Sequence, residues 1–144
     1  MLIKYKLLIL GFFLLVAFET IYPQSYKIII NIENELNSAT KEEVSNYFLK
    51  KRTKWSNQTT IIPVDLISSS NVRIQFTEEI HGKTINQIRA FWQQSIFSGN
   101  ATPPIELNSD LEIINFVKQN KGAIGYVSFE TLTKGVNVLT IKGE

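Results

Sequence analysis

The chain has 144 residues, 44% hydrophobic and 19% charged, a composition that fits one globular domain with enough apolar material for a core and excludes a disordered chain. A formal net charge of +2, with no basic run longer than Lys50-Lys51-Arg52, argues against a nucleic-acid partner. The absence of cysteine excludes disulfides, thiolate metal sites, cysteine nucleophiles and a lipid-modified cysteine.

The first element is a targeting segment. Lys4 and Lys6 precede an apolar run from Leu7 to Phe18, which has signal-peptide length and is short for a membrane span. Residues 1–24 therefore read as a signal peptide, cleaved near Gln24-Ser25, with residues 25–144 as the mature domain. No small-x-small motif marks the cleavage point, and an uncleaved membrane anchor is the competing reading. Export without disulfides suits a bacterial periplasm, so the expected location is periplasmic or secreted, with membrane contact only through the N-terminal segment.

Residues 26–32 are β-branched and apolar and read as a buried strand. Thr40 and Glu43 have capping-box spacing, and they open a helix with Val44, Tyr47 and Phe48 on its apolar face. A polar loop around Trp55 follows, with the indole expected to pack down over the sheet. Residues 61–66 form a second strand, with Pro63 marking an edge or a strand start. Ser68-Ser69-Ser70 then leads into a helix carrying Val72, Phe76 and Ile80, which stops at His81-Gly82. A second capping box, Thr84 to Gln87, starts the longest helix, whose apolar face is Ile85, Ile88, Trp92 and Ile96. Residues 98–107 read as a turn-rich loop, with Pro103-Pro104 favouring an extended path. A third capping box, Ser109 to Glu112, opens a helix through Ile113, Phe116 and Val117. Gly122 stops it, and strands follow at 123–127 and 136–141. Strands alternating with amphipathic helices predict an α/β domain with a mostly parallel sheet and helices on both faces.

In such sheets, ligands sit beyond the carboxyl ends of the strands, at helix N-termini. Two segments qualify: the turn Ser68, Ser69, Ser70 and Asn71 with Arg73 one turn further, and the segment around Thr40. Hydroxyls, unpaired backbone N–H groups and a guanidinium are the donors that a small oxyanion needs. The competing reading makes Ser70 a helix cap and Arg73 a surface residue. His81 is the only histidine, placed where a cation or a capping role is ordinary. The adjacent pairs Glu42-Glu43 and Glu78-Glu79 diverge on a helix, so no metal site and no cofactor are expected. No serine sits in a Gly-x-Ser-x-Gly elbow, and no catalytic residues are assigned.

The order of these motifs carries a resemblance. A helix ends in Phe48, Trp55 follows, and then come the strand Ile61-Ile62-Pro63-Val64, the serine turn and Arg73-x-x-Phe76. Phe91-Trp92, Phe97-x-Gly99 with Pro103-Pro104, and Gly122-Ala123-Ile124-Gly125-Tyr126-Val127 complete the series. From about Ser38 to Val127 the chain resembles the phosphate-binding-protein-like family, in particular its short members with about one of the usual two lobes. The resemblance implies a three-layer α/β sandwich like one lobe of a type II periplasmic binding protein. It implies a non-enzymatic role tied to an ABC transporter or its relatives, with phosphate or a similar oxyanion as ligand. Aligned on Phe76, the family's gripping serine falls at Ser70. Its Gly-Thr falls at Asn71-Val72, and its upstream arginine falls near Asp65-Leu66. Two phosphate donors are thus replaced, and Arg73 stands in for the lost arginine as it does in the short members. Since the family closes its anion between two lobes, the second half of the site would come from a homodimer or a protein partner. The alternative function is a protein–protein interaction module without a small-molecule ligand.

Overall fold

The computed structural model describes residues 23–143, so the expected signal peptide lies outside the described residues. Six strands form one sheet: β1 Tyr26–Asn31, β2 Ser38–Ala39, β3 Ile62–Leu66, β4 Ile105–Leu107, β5 Ala123–Ser128 and β6 Val136–Ile141. Their order is β2-β6-β1-β5-β3-β4. β1 runs antiparallel to both of its neighbours, β5 and β6, whereas β2–β6, β5–β3 and β3–β4 pair in parallel. Five strands therefore share one direction and only β1 opposes it. The three strands expected at 26–32, 61–66 and 123–127 lie side by side in this sheet.

Two of the strands were not anticipated. β2 has two residues and β4 three, too short to show a period, and β4 falls within the segment expected to be a loop. Pro63, second in β3, is paired only with Ile124 of β5, because pairing with β4 begins one residue later at Val64–Ile105. Its missing N–H is therefore not required by the ladder.

Among the described residues there are four helices: α1 Lys41–Phe48, α2 Asn71–His81, α3 Ile85–Phe97 and α4 Asp110–Gln119. Thr40 and Thr84 close full capping boxes at α1 and α3. Ser109 caps α4 by accepting from Glu112 N, but the Glu112 carboxylate accepts from Asn108 N, so the third expected box is only half formed.

Alternation along β5 assigns the two faces. Tyr126 stacks flat on Phe76 of α2, with centroids 3.8 Å apart and planes at 8°, and Phe48 of α1 packs within 4.8 Å of the same Phe76 ring. The neighbouring residue, Gly125, faces α4. A Cβ there would lie 2.8 Å from Ile113 Cγ2 and 3.0 Å from Val64 Cγ1, so the missing side chain lets α4 seat against the sheet. Helices thus lie on both faces, as the alternation of elements predicted. Trp55 is buried and donates its indole N–H to the Gly122 carbonyl at 3.0 Å, with the Tyr47 ring 4.9 Å away.

α3 stands apart. Its buried residues Ile88 and Trp92 join Leu49 in a small cluster separate from the main core, and Ile96, expected on the buried face, is 54% exposed. His81 is no cation. It packs edge-on to Phe76 and is hydrogen-bonded through Nδ1 to the Ser45 hydroxyl at 2.8 Å. Burial pushes its pKa down to about 4, helped by the nearby Arg73, Lys51 and Lys83 charges.

Candidate functional site

The carboxyl end of β3 runs into the turn Ile67–Ser70, held by Ile67 N donating to Leu107 O and Ser70 N donating to Ile67 O. Ser70 then caps α2, its hydroxyl accepting from Arg73 N at 3.4 Å. From this cap the helix presents one buried stripe, Arg73, Phe76, Thr77 and Ile80, at the spacing of a single face. Arg73 is therefore an inward residue, and the surface reading is overturned by its position on the Phe76 face.

Four side chains meet at this point. Arg73 Nη1 donates to the Leu66 carbonyl and, at 2.7 Å, to Glu106 Oε1 on β4. Arg73 Nη2 lies 3.6 Å from Asp65 Oδ2 on β3. Tyr126 on β5 donates its hydroxyl to Asp65 Oδ1 at 2.8 Å and accepts from Leu66 N at 3.3 Å. The cluster ties three adjacent strands to α2.

Burial sets the electrostatics. It raises the Asp65 pKa above the ordinary carboxylate value, although Arg73 and the Tyr126 hydrogen bond pull it back. Burial, with Asp65 alongside, also pushes the Tyr126 phenol well up, so it remains a donor. For Arg73 burial opposes the charge, but Asp65, Tyr126 and Glu106 outweigh it and raise the pKa. One guanidinium faces two carboxylates, so the cluster carries a net charge of about −1 when both acids are ionised.

Beside it opens a cavity of about 300 Å³. Asp65, Ser68, Arg73 and Glu106 form its polar end. Ile85, Ile88, Trp92 and Ile96 of α3 line one wall, and Pro103 and Pro104 line the other. The apolar stripe of α3 thus serves as a cavity wall as well as a packing face. Arg89 also lines the cavity, bonded only to Asn86 Oδ1 at 3.2 Å and in no ion pair among the described residues.

Of the expected anion-binding residues, Ser68 and Arg73 line this cavity. Ser70 is the cap beneath it, while Ser69 and Asn71 are exposed on the same turn. Thr40 is elsewhere. It follows β2, four strand positions from β3, a displacement of about 19 Å at the usual strand spacing. Its hydroxyl is engaged by Glu43 N, and its own N–H by the Glu43 carboxylate. The structure does not bring it to the serine turn. Glu106 was not anticipated, because β4 carries no readable strand signal. Asp65 entered the sequence reading only as the position near which the family's upstream arginine falls, and its partnership with Arg73 and Tyr126 was invisible in sequence.

No family model matches the chain, and no curated protein matches it either. Solved structures do. An ABC-type phosphate transport receptor from Vibrio cholerae superposes with a TM-score of 0.65 at 17% identity, over 85% of this chain and 49% of that one. A putative phosphate ABC transporter substrate-binding protein with bound phosphate, from Clostridium perfringens, gives 0.62 at 20% identity, over 83% and 46%. PstS from Borrelia burgdorferi gives 0.63 at 17% identity, over 83% and 47%. The chain spans about half the length of these proteins. Its fold is the three-layer α/β sandwich, with a mostly parallel sheet, that the motif order implied.

Proposed function

We propose that the chain is an exported, non-enzymatic binding lobe whose cavity beside Ser68 and Arg73 is half of an oxyanion-receiving cleft, with the second half supplied by another polypeptide or a second copy. The carrying observation is one of placement. Ser68, the start of α2 and a buried guanidinium converge on an open cavity at the carboxyl end of a parallel strand, where α/β sheets receive ligands. The bound phosphate named for one structural neighbour lends support to the ligand class. The single histidine does not line the cavity.

The charge balance sets the expected strength. Asp65 and Glu106 already answer the Arg73 charge, and a phosphate on an open face keeps much of its hydration. Binding by the isolated domain should therefore be weak, on the order of millimolar, or roughly −4 kcal/mol. A titration of ¹⁵N-labelled domain with phosphate to tens of millimolar tests this. Amide shifts at Ser68, Ser70 and Arg73 are expected, and micromolar binding by a monomer would refute the half-site argument.

A second reading, an interaction module with no small-molecule ligand, is favoured by the exposure of Ile96 and Phe97 at the end of α3, 54% and 96% respectively. Silence at the three amides in the titration would leave that reading standing. Export is tested separately: mass spectrometry of the exported protein should find a mature N-terminus near Ser25 or Tyr26. Full-length protein held in the membrane fraction would favour the anchor instead.

A further inference from the structure

The Arg73 guanidinium is enclosed unevenly. On its inner side are the Leu66 carbonyl and Asp65, whose side chain is 11% exposed. Glu106 lines the cavity as Asp65 does, but its side chain is 46% exposed while that of Arg73 is 7% exposed. Glu106 lies on β4, a three-residue strand at the edge of the sheet. Of the two carboxylates, only the one on β4 has solvent into which to turn, and turning breaks no ladder bond, since those belong to the backbone.

A carboxylate oxygen 2.7 Å from a guanidinium nitrogen makes the kind of contact that a phosphate or sulfate oxygen would make. Ser68 lines the same cavity, and no hydrogen bond joins its hydroxyl to the Glu106 carboxylate, which bonds to Arg73.

We infer that Glu106 is an internal competitor, its carboxylate occupying the oxyanion position on the cavity side of Arg73, so that a tetrahedral oxyanion enters only by displacing it. This deepens the half-cleft reading and rests on it. Glu106 becomes the residue that sets affinity and ligand class. While it is in place, the polar end of the cavity has an excess negative charge and selects against anions. Once it has swung out, Arg73 and Asp65 balance one another, and the Arg73 Nη1 donor, the Ser68 hydroxyl and the nearby Arg89 are left for a ligand. Asp65 cannot take the same role, because it is buried and held by Tyr126.

The experiment compares wild type, Glu106→Gln and Glu106→Ala by NMR titration with inorganic phosphate and, separately, with sulfate. Glu106→Gln keeps the shape and removes the charge, and Glu106→Ala empties the position. Both should tighten phosphate and sulfate binding by about tenfold or more, the scale of one charge-assisted hydrogen bond gained with one repulsion removed. Their amide spectra should overlay that of wild type away from β4 and the start of α2, which checks folding. If wild type binds at millimolar strength and the variants bind no more tightly, the competitor role is overturned and the half-cleft reading stands. If neither wild type nor the variants respond to either anion, both fall. If the variants tighten but shifts appear away from Arg73 and Ser68, the anion is not taking the place of Glu106, and the inference is likewise overturned.

Discussion

Arg73→Ala is the perturbation that most directly questions the buried cluster. It removes the donor to Leu66 O, the 2.7 Å bond to Glu106 and the 3.6 Å pairing with Asp65. Glu106 can turn to water, so its part of the loss belongs to the exposed-pair range of about 0.2–1 kcal/mol. Asp65 cannot. It is left inside with the Tyr126 hydroxyl as its remaining side-chain partner, and breaking a buried pair in this way costs about 3–5 kcal/mol. That is a large share of the roughly 5–15 kcal/mol that holds a domain of ordinary stability. Asp65→Asn in the same background removes the stranded charge, so the double variant should recover about 2 kcal/mol or more relative to additivity. The pH dependence has a definite sign. Burial already holds the Asp65 pKa above its ordinary value, and losing Arg73 raises it further. An acid with a raised folded pKa favours folding while protonated, and that advantage fades as pH climbs from the unfolded value through the folded one. The Arg73→Ala deficit should therefore be larger at neutral pH than near pH 4. Urea unfolding followed by tryptophan fluorescence at both pH values measures it. A deficit that is the same with and without the Asp65→Asn substitution, and flat with pH, would show that the two residues are not energetically coupled.

His81 is the only histidine, so its proton NMR titration can be read without assignment, and a midpoint near 4 is expected where a free histidine would give about 6.5. Because the folded pKa is depressed, stability should fall by up to about 3 kcal/mol as pH drops from the unfolded value towards the folded one, and His81→Gln should remove that slope; a midpoint above 6 would contradict the buried neutral ring. Gly125→Ala drives a methyl into Ile113 and Val64, both β-branched and slow to yield, and should cost about 1–3 kcal/mol. An unchanged melting temperature would mean that α4 is not seated as described. Trp92→Ala should cost about 3–5 kcal/mol of α3 docking, because Leu49 and Ile88 are its main apolar partners. Hydrogen exchange should show α3 amides losing protection ahead of the sheet, and simultaneous loss everywhere would place Trp92 in the main core after all.

The layered fold was legible because its signals are local. The Thr40 and Thr84 boxes need only four residues to be recognised, and β1, β3 and β5 are dense enough in β-branched side chains to stand out. What could not be read depended on partners distant in sequence. Arg73 and Val72 differ by one position on a helix, and only the docking of α2 makes Arg73 the buried one while Val72 packs at the margin of the core. β4 exists because β3 offers it an edge, and nothing in Ile105-Glu106-Leu107 announces a strand. The direction of β1 was equally hidden, since a buried run of isoleucines reads the same in either orientation. Ser68 and Arg73 of the serine turn do line one cavity, but the charge balance there is set by Glu106, 33 residues from Arg73 and on an element with no signature.

On the proposed half-cleft reading, the same contacts give the cluster two roles that pull against each other. Arg73 clamps β3, β4 and α2 together at the edge of the sheet, where β4 pairs with β3 alone. An anion that displaces Glu106 loosens the β4 side of that clamp while it repairs the guanidinium's lost partner. On that reading, binding by the isolated domain would be nearly an exchange of one carboxylate for one oxyanion, and an exchange of similar hydrogen bonds gives little net free energy. A surface that closed over α3 and β4 would change that balance. It would shield the new ion pair from water, and so strengthen each charge interaction by lowering the local dielectric, and it would cover Ile96 and Phe97. The proposed weak binding alone and stronger binding in an assembly would therefore follow from one charge balance at this site.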